Sequence, residues 1–138
     1  LMASDGLPHQ VNGLPRVLTL HLKRFRTTGR KVHKLYEHVP FPLVLDFSSF
    51  ACQPGEPVKH YTQLSDGVAR PPSAAHLSLY AVVEHQGTFV GGHYVAFVKN
   101  GGAWYRMNDS VVTHVSEATV LEAKAFMLFY QQTPSPTA

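Results

Sequence analysis

Gly91-Gly92-His93-Tyr94-Val95-Ala96-Phe97-Val98 is the stretch from which the rest of the chain can be read. Two glycines let a backbone turn tightly or let another chain pass close by. His93 follows, and imidazole is the one side chain whose unperturbed pKa suits it to moving protons near neutrality. Val95 to Val98 is an apolar run with strand character. His93 is therefore expected where a glycine-rich loop enters a rigid strand, which suits a general base.

Working outward, Asn100-Gly101-Gly102 is a strong hairpin signal, and residues 103–107 read as the returning strand. Pairing of those strands would carry Asn108 and Asp109 back beside His93. A histidine acting as general base needs a third group to fix its tautomer and aim its ring, and an Asn or Asp side chain can do so. Residues 116–122 fit a short helix with Ser116 as N-cap and Glu117 near the positive end of the dipole. Residues 125–130 then read as a buried closing strand.

On the N-terminal side, residues 77–85 have strand character and 86–92 form the loop before His93. Residues 17–25 alternate, with Leu18, Leu20 and Leu22 on one face of an expected strand. A turn at 27–30 leads to a more polar strand over 32–36, expected to pair with the first. Each proline in Val39-Pro40-Phe41-Pro42 biases its predecessor away from helix, so this stretch is extended, and 43–47 is a short strand. Residues 1–13 read as a lead-in loop, and 132–138 as a disordered tail. The Pro-, Gly-, Ser- and Gln-rich stretch 51–76 reads as a flexible insertion. The fold class that results is α+β and strand-rich, an antiparallel sheet with one or two short helices.

Composition narrows the possible functions. The chain has 138 residues, 44% apolar and 15% charged, which describes one globular domain or a piece of one. No apolar run approaches the ~20 residues of a membrane helix, so no membrane is expected as partner. The start, Leu1-Met2-Ala3, lacks a signal-peptide pattern and reads as a cut through a longer chain. A single cysteine, Cys52, excludes an internal disulfide framework or a multi-cysteine zinc site and makes an intracellular setting, cytoplasm or nucleus, the default. The net charge is +3, and half of the twelve Lys and Arg lie between Lys23 and Lys34. That run has no groove-reading motif, so nucleic acid is not expected. His21 and His85 lack a third ligand at standard spacing and read as structural rather than metal-binding. No metal and no cofactor is expected. Tyr80, Trp104, Phe126 and Phe129 read as core.

Six blocks in order carry a family resemblance. They are Leu14-Pro15-Arg16-Val17-Leu18-Thr19-Leu20-His21-Leu22-Lys23-Arg24-Phe25, the pair Phe41-Pro42, Tyr80-Ala81-Val82-Val83-Glu84-His85-Gln86-Gly87, Gly91-Gly92-His93-Tyr94-Val95-Ala96, Trp104-Tyr105-Arg106-Met107-Asn108-Asp109-Ser110, and Ala125-Phe126-Met127-Leu128-Phe129-Tyr130. Together they resemble the C-terminal, palm part of the ubiquitin-specific proteases, over about residues 14–131. The resemblance implies a papain-like fold and a thiol hydrolase that cuts the isopeptide bond after the Gly-Gly tail of ubiquitin. It implies His93 as catalytic base, Asn108 as the residue orienting it, and Asp109 as a second partner. Gly91, Gly92, Phe89 and Tyr94 would line a narrow slot for the diglycine tail. Residues 26–37 and 88–92 would form blocking loops that shape the approach of ubiquitin.

The pattern breaks at the nucleophile. Cys52 is flanked by Phe50-Ala51 and Gln53-Pro54, with no following helix to lower its pKa. The implied partners are ubiquitin or a ubiquitinated protein, and an N-terminal part of the catalytic domain carrying the nucleophilic cysteine. The chain alone is expected to hydrolyse nothing. The alternative is a ubiquitin-binding module without catalysis, which has no physical need for an aligned base and orienter.

Overall fold

A computed structural model describes residues 11–12, 15–47, 51–52 and 76–132. Its strands are β1 (Val11–Asn12), β2 (Val17–His21), β3 (Phe25–Thr28), β4 (Lys31–Lys34), β5 (Val44–Asp46) and β6 (Ala51–Cys52). They continue with β7 (His76–Gly87), β8 (Gly92–Asn100), β9 (Ala103–Asn108), β10 (Val111–Val115), the helix α1 (Glu117–Leu121) and β11 (Ala125–Gln132). Seven strands form one sheet in the order β10-β9-β8-β7-β11-β2, with β5 also paired to β7. All its pairings are antiparallel. The strand-rich α+β class read from the sequence is the observed one.

Alternation along the strands builds the core on one face. Leu79 and Val82 of β7, Phe97 of β8, Trp104 of β9, and Leu128 and Tyr130 of β11 are all buried there. A bulge between Phe129 and Tyr130 lets Leu79 and Val82, an odd spacing, face the same way. Helix α1 adds Val120 to this core, with Ala123 just beyond its end. The helix starts as its sequence demands, since the Ser116 Oγ accepts a hydrogen bond from Thr119 N at 3.2 Å. At the tip between β8 and β9, Gly101 (φ 56°) and Gly102 (φ 84°) take the left-handed conformations that a two-residue hairpin requires.

Three expectations are corrected. The strand expected over 17–25 ends at His21, and it pairs with β11 rather than with the strand that follows it. Instead β3 and β4 form a separate hairpin. The cause is Arg24, which turns inward until it is 4% exposed. Its Nε donates to Ala125 O at 2.6 Å, and its Nη1 to Leu35 O at 3.1 Å and Glu37 O at 2.7 Å. A side chain tied to three carbonyls on two segments pulls the backbone out of the sheet. The second correction is β10, which pairs with β9 through a turn at Asp109 (φ 52°) and was not expected. Thirdly, the described part of the lead-in loop, Val11–Asn12, is a strand, and it runs parallel to Ala51–Cys52 at the start of the expected insertion. The remainder of that insertion up to residue 75, and residues 133–138 of the expected tail, lie outside the described residues. Among the described residues, no helix is long and apolar enough to cross a membrane.

Candidate active site

The β8–β9 ladder brings the first pair together. Its register sets Ala96 against Met107 and Phe97 against Arg106. Continued by one step, it puts Asn108 across from Val95, on the face that His93 shares and diagonal to it. Diagonal neighbours on one face are within reach of longer side chains. His93 Nε2 and Asn108 Oδ1 lie 2.5 Å apart across fifteen positions of sequence, and both residues are half-buried. An amide oxygen can only accept, so the proton sits on Nε2. In the neutral ring, Nδ1 then holds the free lone pair, ready to take a proton from a donor in front of it. Asp109 occupies the exposed turn after β9. Asn108, not Asp109, holds the ring.

The glycines around His93 carry different burdens. Gly87 and Gly92 face each other where β7 and β8 meet. Gly87 has φ +120°, and a Cβ there would come within 2.6 Å of Gly92 Cα. A Cβ on Gly92 would collide with Nε2 of His85 and with the carbonyl oxygen of Gln86. The requirement for glycine at 92 is therefore internal to the fold, in addition to any need of a substrate slot. Gly91 has nothing within 4 Å of the place a Cβ would occupy. Thr88 N donates to Gly91 O at 2.9 Å and closes the loop.

Phe89 and Tyr94 are drawn to a second centre. Strand alternation sends Tyr94 to the face opposite His93. There its ring lies 4.8 Å from the ring of His85, and Phe126 lies 5.9 Å from both. Phe25 stands edge-on to Phe89 at 5.5 Å and to His85 at 6.0 Å. The expected slot residues thus gather around His85 rather than around the His93–Asn108 bond, and Phe89 and Tyr94 are 62% and 56% exposed.

His85 is held from β4. The Lys34 ammonium lies 3.0 Å from His85 Nδ1 and donates to His85 O at 2.5 Å and Gly87 O at 2.9 Å. Three acceptors match the three donors of an ammonium group, and Nδ1 can be one only in the neutral ring with its proton on Nε2. Burial, and next the charge of Lys34, pulls the His85 pKa below the usual histidine range. Burial, and next the Arg24 guanidinium, likewise lowers the pKa of Lys34. The Lys34 ammonium also lies 5.2 Å from the centre of the Tyr36 ring, whose hydroxyl reaches toward Gly87 O at 3.5 Å. Arg24, Lys34, Tyr36, Glu84, His85 and Lys124 line an open cavity of about 180 Å³ here. Lys34 escaped the sequence reading because 51 positions separate it from His85. Its only signal was a lysine in the middle of the polar strand expected over 32–36. Among the described residues, no three His, Cys, Asp or Glu side chains are grouped to hold a metal.

Comparison with known proteins gives this geometry its context. Residues 8–130 match the family described as ubiquitin carboxyl-terminal hydrolase. Human ubiquitin carboxyl-terminal hydrolase 3 is 40% identical over 122 residues, covering 87% of this chain and 21% of that protein. Human ubiquitin carboxyl-terminal hydrolase 31 is 40% identical over 128 residues, covering 86% of this chain and 10% of that protein. The chain therefore spans about a fifth or less of the length of these two relatives. Among solved structures, the SAGA Ubp8/Sgf11/Sus1/Sgf73 DUB module bound to ubiquitin aldehyde superposes with a TM-score of 0.74 at 32% identity, over 90% of this chain and 26% of that one. The same module with Ubp8 carrying C146A, bound to monoubiquitin, superposes with a TM-score of 0.71 at 32% identity, over 90% of this chain and 25% of that one.

Proposed function

The chain belongs to the ubiquitin carboxyl-terminal hydrolase family, and from that premise we propose that it is the base-bearing C-terminal portion of a cysteine-type deubiquitinase. The observation that carries this reading is the 2.5 Å contact from His93 Nε2 to Asn108 Oδ1. With Nε2 donating to the amide, Nδ1 accepts the proton of a cysteine thiol supplied by residues outside this chain. The thiolate then attacks the carbonyl of the last glycine of ubiquitin, and the imidazolium returns its proton to the departing lysine amine. Water, activated by the same Nδ1, releases the acyl-enzyme. Asn108 stays neutral throughout and holds the tautomer and the plane of the ring. Gly91, with open space beside it, is the glycine best placed to let a diglycine tail pass.

The test uses the full-length protein that contains this chain, a ubiquitin C-terminal amide substrate, and ubiquitin ending in a cysteine-reactive electrophile. The expected result is turnover, with labelling of a cysteine other than Cys52. His93→Ala should lower kcat by at least ~10³-fold and Asn108→Ala by about 10²-fold. Tight ubiquitin binding without labelling would replace the enzyme with a binding module. Cleavage by the 138-residue chain on its own would show that the thiol is Cys52 after all.

A further inference from the structure

Lys34 touches neither His93 nor Asn108, yet its contacts converge on the backbone that delivers His93. It is bound to both carbonyls that flank Gln86 at the end of β7, those of His85 and Gly87, and to the ring of His85. Gly87 is the register partner of Gly92, and Gly92 is covalently joined to His93. The ring of His85 fills the place where a side chain on Gly92 would begin. The orientation of that ring and the path of the backbone at Gly92 are therefore one packing problem. Whatever sets the ring sets the first residue of β8.

From this we infer that Lys34 is a positioning residue for His93, acting through the His85 ring and the Gly87–Gly92 strand pair. An ammonium on Nδ1 forces the His85 proton onto Nε2, and because the His85 and Gly87 carbonyls hold that ammonium in place, its one bond to the ring sets the ring's orientation. Tyr36, from the segment following β4, adds its hydroxyl at the same Gly87 carbonyl. The β3–β4 hairpin is in this way a brace across the end of the β7–β8 hairpin, with Phe25 on Phe89 as its apolar contact. The inference rests on the reading of His93 as general base. A misplacement of about 1 Å at such a group costs on the order of 10²-fold in rate.

The experiment compares the unaltered full-length protein with Lys34→Met, which keeps the apolar stem and removes the ammonium. The expected result is a fall in kcat of about 10-fold or more, with KM for the ubiquitin substrate changed less than about 3-fold. An unchanged kcat, or a loss expressed in KM alone, would overturn the inference and make Lys34 a spectator or a ubiquitin contact. Ring-nitrogen NMR of the unaltered protein gives an arm that does not depend on how the variant folds. His85 should show its proton on Nε2, and a proton on Nδ1 would overturn the inference outright. If the unaltered protein cleaves nothing, the proposed function fails, and the NMR arm still decides the Lys34–His85 contact separately.

Discussion

Gly91 and Gly92 are chemically identical neighbours, and the fold asks different things of them. At Gly92 a methyl group would have to displace the His85 ring and a main-chain carbonyl. Overpacking of this kind costs about 1–3 kcal/mol, and here the displaced backbone is the one leading into His93. Gly92→Ala should therefore lower both the urea midpoint and kcat. Gly91→Ala meets nothing, so its unfolding free energy in urea should stay within about 0.5 kcal/mol of the unaltered protein, and any change in its activity would report on the substrate. The sequence made both glycines legible as a place of close approach, because no other residue permits one so readily. It did not reveal what approaches Gly92, because His85 comes from the neighbouring strand and its ring is aimed by a lysine on a third.

Among the elements, those specified by residues adjacent in sequence were legible. The β8–β9 hairpin follows from Asn100-Gly101-Gly102, and the start of α1 from Ser116. That start is directly testable, since Ser116→Ala removes the acceptor for Thr119 N and should cost about 1 kcal/mol in denaturant unfolding. A smaller loss would mean that Val120 and Ala123, packed into the core, hold the helix without its cap. The β9–β10 hairpin was not legible, because its turn contains no glycine and relies on Asp109 in a conformation that few side chains adopt. The end of β2 was hidden for another reason. Arg24 reads as one more charge in a basic run, and it becomes a buried anchor only through carbonyls 11, 13 and 101 positions later.

Across the whole molecule, Tyr130 joins the sheet to the extended segment before β5, its hydroxyl donating to Pro42 O at 2.7 Å. Burial pushes its pKa from 10.0 up to about 12. The folded state therefore favours the neutral phenol, and this stability is complete below about pH 10 and lost as pH rises through about 12. An ultraviolet titration should find one tyrosine ionising near pH 12 that Tyr130→Phe removes, with the denaturant midpoint falling over the same window. Tyr130→Phe should remove that extra alkaline sensitivity while costing about 1 kcal/mol at neutral pH. The order of the main sheet has a consequence for biosynthesis. The hairpins from β7 to β10 join strands made one after another, whereas among the described residues β2 pairs in the sheet with β11, which begins only at Ala125. At roughly 5–20 residues per second on the ribosome, β2 waits on the order of 5–20 s for its mate. During that wait Leu18 and Leu20 lack the strand that pairs with theirs, so this part of the nascent chain is most prone to misassociate just before β11 emerges.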